Sequence, residues 1–126
     1  MNAAAFAAVG AGAMLGAWAR WGLGTWLNAL VPNLPVGTLV ANVGGGYLVG
    51  LAVAFFSANT HLAPEWRLAC ITGFLGALTT FSTFSAESMQ LLQAEKFLAA
   101  TLHSAAHLAG AVLATILGFA TYRLLS

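Results

Sequence analysis

The chain has 126 residues, 60% of them hydrophobic and 6% charged; soluble domains carry about 25% charged residues, so little here could solvate an outer surface. Four basic residues (Arg20, Arg67, Lys96, Arg123) and three acidic ones (Glu65, Glu87, Glu95) give a net charge of +1 with no basic patch, which excludes a nucleic-acid surface. The single cysteine, Cys70, lies in an apolar run; it excludes an intrachain disulfide framework and reads as a small buried hydrophobe.

The mean hydropathy of +0.88 points to lipid as the solvent. A membrane helix needs about 20 mostly apolar residues, and four such stretches occur, at 3–30, 36–58, 66–92 and 97–124. No Lys or Arg precedes Arg20, so the N-terminus lacks the basic region of a signal peptide and runs directly into the first span. Pro32, Asn33 and Pro35 mark the first break, Ser57 to Pro64 the second, and Gln93 to Lys96 the third. Nothing alternates at period two over the roughly 10 residues of a barrel strand. The reading is therefore an all-α membrane protein, one transmembrane domain over 1–126, with four spans in an up-down bundle and no enzymatic machinery.

Orientation should follow the Lys/Arg bias of the loops. Arg67 and Arg123 fall on one side and Lys96 on the other, while Arg20 lies inside the first span. Two against one is a weak bias, so insertion both ways round and an antiparallel dimer become possible.

Small residues at intervals of four mark helix faces that pack closely in lipid. The first span has Gly12, Gly16, Arg20 and Gly24; the second has Asn42, Gly46 and Gly50; the fourth has Ala106, Gly110, Ala114 and Gly118. Arg20 at membrane depth must snorkel to the interface or point at protein or a wet vestibule. Asn42 supplies two donors and an acceptor, suited either to a helix–helix hydrogen bond or to lining a path.

The third span carries the densest polar signal: Gly73 and Gly76, then Thr79, Thr80, Ser82 and Thr83. Glycines and hydroxyls permit a local break, because the side chains can re-satisfy freed backbone groups. At such breaks, half-helix N-termini attract anions and freed carbonyls hold cations; a kinked but continuous helix is the alternative. Phe81 and Phe84 share a face, and their positive ring edges would suit a small anion, although such a pair also suits core packing. Glu87 follows on the same side, to line that path or to cap the helix. His103 and His107 are four apart in the fourth span, without a third ligand in the pattern, and read as packing or pore-lining donors rather than a metal or haem site.

Three blocks resemble the Fluc family of small fluoride channels over nearly the whole length. They are Gly12-Ala-Met-Leu-Gly-Ala-Trp-Ala-Arg20, then Gly37-Thr-Leu-Val-Ala-Asn42 with the following glycines, and Gly76-Ala-Leu-Thr-Thr-Phe-Ser-Thr-Phe84 with Glu87. The third is the specific one. Ala77 stands where the family usually has Gly, and Gly46 and Tyr47 where Ser and Phe are usual, which removes a hydroxyl at Gly46.

The resemblance implies a fluoride-selective channel that exports fluoride passively through a cell membrane, built as a dual-topology antiparallel homodimer with two pathways. It implies Asn42, Phe81 and Phe84 along the pathway, Ser82 and Thr83 as hydroxyl donors, and Arg20 supporting the vestibule with Glu87 nearby. It also implies a third span broken mid-membrane, with a central structural sodium ion on the backbone carbonyls of Gly76 and Thr79. On the fourth span it leaves Ser104 and His107 as possibilities. A small proton-coupled multidrug exporter is the nearest rival, but the embedded first-span carboxylate it needs is missing before Glu65. A haem-anchoring subunit and a purely structural membrane protein are the others.

Overall fold

The computed structural model describes residues 1–31 and 34–126 and is all helical. Helix α1 is Ala3–Leu30 and α2 is Val36–Ala58. The third span, Pro64–Gln93, falls into two pieces: α3 over 64–78 and α4 over Phe81–Gln93. Helix α5 is Phe97–Leu125. Four segments are long and apolar enough to cross a membrane, as expected from composition. The third begins at Pro64 rather than at 66, because Pro lacks the N–H that the first turn leaves unused and has its φ pre-set for a helix.

Local chemistry accounts for the ends. Asn2 caps α1 by accepting from Ala5 N at 2.7 Å. Pro32 and Asn33, expected to end the first span, lie outside the described residues, but the connection is tied from both sides: Asn28 Oδ1 accepts from Gly37 N at 2.8 Å. The turn between α4 and α5 places Glu95 at φ 59°, a left-handed conformation that costs a residue with a Cβ about 1–2 kcal/mol.

Helix α1 packs on α3, and α2 packs on α5. Close approach sets both seams. A Cβ at Gly50 would meet the main chain of Thr115 and Phe119, and one at Gly118 the carbonyl of Tyr47. The expected small-residue faces of α1 and α2 are used, with Gly12, Gly16, Gly46 and Gly50 all buried. Gly24 is used too, since a Cβ at Gly37 would lie 2.7 Å from its Cα. One expectation needs correction: Ala106 is exposed while its neighbour His107 is buried. The α5 seam therefore drifts through His107, Ala111, Thr115 and Gly118, as 3.6 residues per turn requires over about three turns.

The core between the seams is small, centred on Ala41, Leu75 and Leu78. Large apolar side chains such as Trp18, Trp26, Leu113 and Ile116 are exposed, and this outward apolar surface is what lipid accepts and water does not. Within α3, residues Leu68–Leu75 wind as a π-helix. This wider form is rare and is frequently found at functional sites.

Candidate functional site

The third span breaks at Thr79 and Thr80, both with extended backbone (ψ 152° and 119°). Each unpaired main-chain group at the break needs a partner in a low-dielectric interior. The Thr79 N–H and its Oγ1 both donate back to Leu75 O, at 3.0 Å and 2.9 Å. Arg20 Nε donates to Ala77 O at 2.9 Å, placing a cation on the carbonyl end of α3, where the helix dipole favours it. Arg20 thus points at protein instead of snorkelling.

Asn42 repairs the other side. Its Oδ1 accepts from Thr80 N at 2.7 Å and its Nδ2 donates to Thr80 O at 2.9 Å. Thr80 Oγ1 in turn accepts from Thr83 N at 3.1 Å and caps α4. Of the four donors that open α4, those of Phe81 and Ser82 have no acceptor among the described residues.

The second hydrogen of Asn42 Nδ2 goes to His107 Nδ1 at 2.9 Å. The Thr80 N–H can only donate and its carbonyl can only accept, so the Asn42 amide has one orientation, and His107 Nδ1 must accept. The proton of His107 then sits on Nε2. That atom is buried and has no hydrogen-bond partner among the described residues, in a side chain only 4% exposed.

Phe84 lies against both histidines of α5. Its ring is stacked on His103 at 5.4 Å and 14°, and lies 4.8 Å from His107. Phe81 meets Phe84 edge-on at 5.2 Å and is itself 78% exposed. A cavity of about 320 Å3 is lined by Asn42, Thr79, Thr80, Phe81, Phe84 and His107, with Thr115 farther along α5. A second cavity, of about 350 Å3, collects Arg20, Thr38, Thr80, Thr83 and Glu87.

The site residues expected from sequence therefore divide. Asn42, Phe81, Phe84 and Thr79 surround the first cavity, while Arg20, Thr83 and Glu87 surround the second, and Thr80 borders both. Ser82 is exposed and lines neither, its hydroxyl 3.2 Å from that of Thr80. Gly76 is exposed as well and lines neither cavity.

Glu87 caps no helix. Thr38 Oγ1 donates to its Oε1 at 2.5 Å, and its Oε2 is 3.1 Å from His103 Nε2. His103 Nδ1 lies 3.0 Å from Ser88 Oγ, which is 3.3 Å from Ser104 Oγ. This Thr38–Glu87–His103 chain was not legible in sequence, since spacing along one helix says nothing about a carboxylate on another.

Glu87, His103 and His107 do bring one ligand atom each within 4.8 Å of one another. The third ligand missing from the pattern is thus present in space. As a metal site the group is poorly disposed: Asn42 occupies the His107 Nδ1 lone pair, Nε2 carries the proton, and Thr38 and His103 already engage both Glu87 oxygens.

The hydroxyl expected to be lost at Gly46 is met from across the seam. Thr115 Oγ1 donates to Gly46 O at 2.9 Å, and a Cβ at Gly46 would lie 2.8 Å from Ala111 O.

Residues 7–119 match the family model described as "CrcB-like protein, Camphor Resistance (CrcB)". The chain is similar to a protein of Pseudomonas putida (strain W619), 58% identical over 119 residues and 94% of each chain. It is 56% identical over the full length of both chains to a protein of Cupriavidus pinatubonensis (strain JMP 134 / LMG 1197), and 55% identical, again over both full lengths, to one of Ralstonia pickettii (strain 12J). Each of these three is named "Fluoride-specific ion channel FluC". With four membrane-length apolar helices and identity of this order end to end, the chain is a multi-pass membrane protein that belongs to the CrcB, or Fluc, family.

Proposed function

We propose that this chain is a subunit of a fluoride-selective channel that lets fluoride leave the cell passively. The observation that carries the reading is a broken helix whose α4 N-terminus opens beside a buried N–H at His107 Nε2 that has no partner among the described residues. Fluoride is small and strongly hydrated, so a pore must replace its water with donors. The Phe81 and Ser82 amides, the His107 N–H, the hydroxyls of Ser82 and Thr83, and the ring edges of Phe81 and Phe84 are donors of this kind; the Thr79 and Thr80 hydroxyls already donate to Leu75 O and Thr83 Oγ1. None of them is a fixed positive charge, which would hold the anion too long. The one cation at the break, Arg20, bonds to Ala77 O and raises the potential at the vestibule without entering the narrow part. A membrane potential negative inside drives the anion out with about 2.3 kcal/mol per 100 mV.

Asn42 belongs to this pathway as the group that holds it open, its donors being engaged by Thr80 and His107. That the break falls about halfway along the Pro64–Gln93 span supports a position near mid-membrane. Non-helical backbone at that depth is tolerated only against protein or water, yet Thr79 and Thr80 are only half-buried and the helix residues flanking them, Gly76, Phe81, Ser82 and Ser85, are all exposed. A second copy covering this edge answers the mismatch, and the weak charge bias allows that copy to be antiparallel.

The carbonyls of Gly76 and Thr79 accept no hydrogen bond among the described residues. They are hard oxygen donors of the sort a sodium ion takes, and two chains would supply four. Such an ion would neutralise carbonyl dipoles at the dimer centre and hold the two breaks together.

Efflux from liposomes containing the purified protein, followed with fluoride and chloride electrodes in parallel, tests the reading. Fast fluoride release without chloride release is expected. Release of neither ion from folded protein in sodium medium would overturn it.

A further inference from the structure

We infer that Asn42 is a positioning residue that acts on the ion through His107, by fixing which imidazole nitrogen carries the proton. This rests on the channel reading above and assigns Asn42 a role different from direct contact with fluoride.

The argument starts from two groups whose hydrogen-bonding sense cannot change. The main-chain N–H of Thr80 donates to Asn42 Oδ1, and the main-chain carbonyl of Thr80 accepts from Asn42 Nδ2. Rotating the amide by half a turn would set donor against donor and acceptor against acceptor, so its orientation is locked. The remaining Nδ2 hydrogen points at His107 Nδ1, 2.9 Å away. A proton on that nitrogen would face another N–H, so both the doubly protonated ring and the Nδ1–H tautomer are excluded while Asn42 is in place. The Nε2–H tautomer remains, and that N–H has no acceptor among the described residues.

A neutral donor in a low-dielectric wall attracts an anion, whereas a lone pair at the same place repels it. The geometry of the helix break at Thr80 thereby sets the sign of the dipole that α5 presents beside Phe84. A histidine without such an orienter would divide between tautomers, and a fraction of pathways would carry a lone pair where a donor is needed. The other groups around the ring do not compete for this choice: His103 is turned to Glu87 and Ser88, and Thr115 to Gly46 and Ala111.

The test is nitrogen NMR of 15N-histidine-labelled protein in lipid nanodiscs, with the His107 signals identified by their loss in His107→Phe. In the unmodified protein the proton is expected on Nε2 alone. In Asn42→Asp the new carboxylate can only accept at this position, so the proton is expected to move to Nδ1, with fluoride efflux falling at least tenfold. A proton on Nδ1 or on both nitrogens in the unmodified protein would overturn the inference, and that measurement needs no variant to fold. An unchanged tautomer in folded Asn42→Asp would also overturn it. Failure of the channel reading looks different: the tautomer would be as stated, but the unmodified protein would release no fluoride.

Discussion

Asn42 and Thr80 are joined by two hydrogen bonds, 2.7 Å and 2.9 Å long, that pair a side-chain amide with both main-chain groups of one residue. The side chain does for Thr80 what the next turn of helix would have done, so the third span can be interrupted without leaving an N–H or a C=O unpaired at that residue. Asn42→Ala should therefore destabilise the fold by about 1–3 kcal/mol, with both Thr80 groups losing partners. Thermal unfolding in detergent would show it. An unchanged midpoint would mean that water or another group takes over at the break.

His107 is expected to behave oppositely. Its Nε2 has no partner to lose among the described residues, so His107→Phe should cost little stability beyond the bond to Asn42. Fluoride efflux should fall sharply, by about 10- to 100-fold, since a hydrogen bond to a charged group contributes about 1.5–3 kcal/mol. Wild-type efflux from this variant would remove His107 from the pathway.

The seam between α2 and α5 is tested at Gly50, where a Cβ would lie 2.7 Å from Phe119 N and closer still to Thr115 O. Both are main-chain atoms and cannot swing away. Gly50→Ala should separate the helices locally and destabilise the protein by about 1–3 kcal/mol. Gly44→Ala, six residues earlier on an open face with nothing among the described residues within 4 Å of the added carbon, should leave the unfolding midpoint unchanged or slightly raised.

Sodium withdrawal addresses the carbonyls of Gly76 and Thr79. Replacing sodium by a bulky organic cation on both sides of the membrane should suppress fluoride efflux, and restoring sodium should recover it. Efflux indifferent to the cation would rule out the proposed central ion and call for another partner for these oxygens.

Orientation is testable without purification. Reporter fusions at the C-terminus should give signals from both sides of the membrane, because Arg67 and Arg123 oppose Lys96 by only one charge. A signal from one side alone would rule out the antiparallel arrangement.

The four spans were legible because lipid imposes a simple rule: about 20 apolar residues make a crossing, and a few polar ones mark its ends. The observed helices Ala3–Leu30, Val36–Ala58 and Phe97–Leu125 lie within a residue of the expected 3–30, 36–58 and 97–124. The break within the third span was legible as a region, since glycines and four clustered hydroxyls are costly in a continuous membrane helix. The exact residues, Thr79 and Thr80, depended on which backbone groups could find partners on other helices.

The sequence alone thus determined the class of the protein, the number of its crossings and the stretch where one of them would give way, because hydropathy and backbone satisfaction act along the chain. It could not determine that Glu87 meets His103 and Thr38, that Arg20 meets Ala77, or that Asn42 turns its amide between Thr80 and His107. Those pairings join positions on different helices, and their register depends on how closely Gly46, Gly50 and Gly118 let the helices approach. Close approach between helices is a property of the packed bundle, so only the tertiary structure could decide which donor is left without an acceptor.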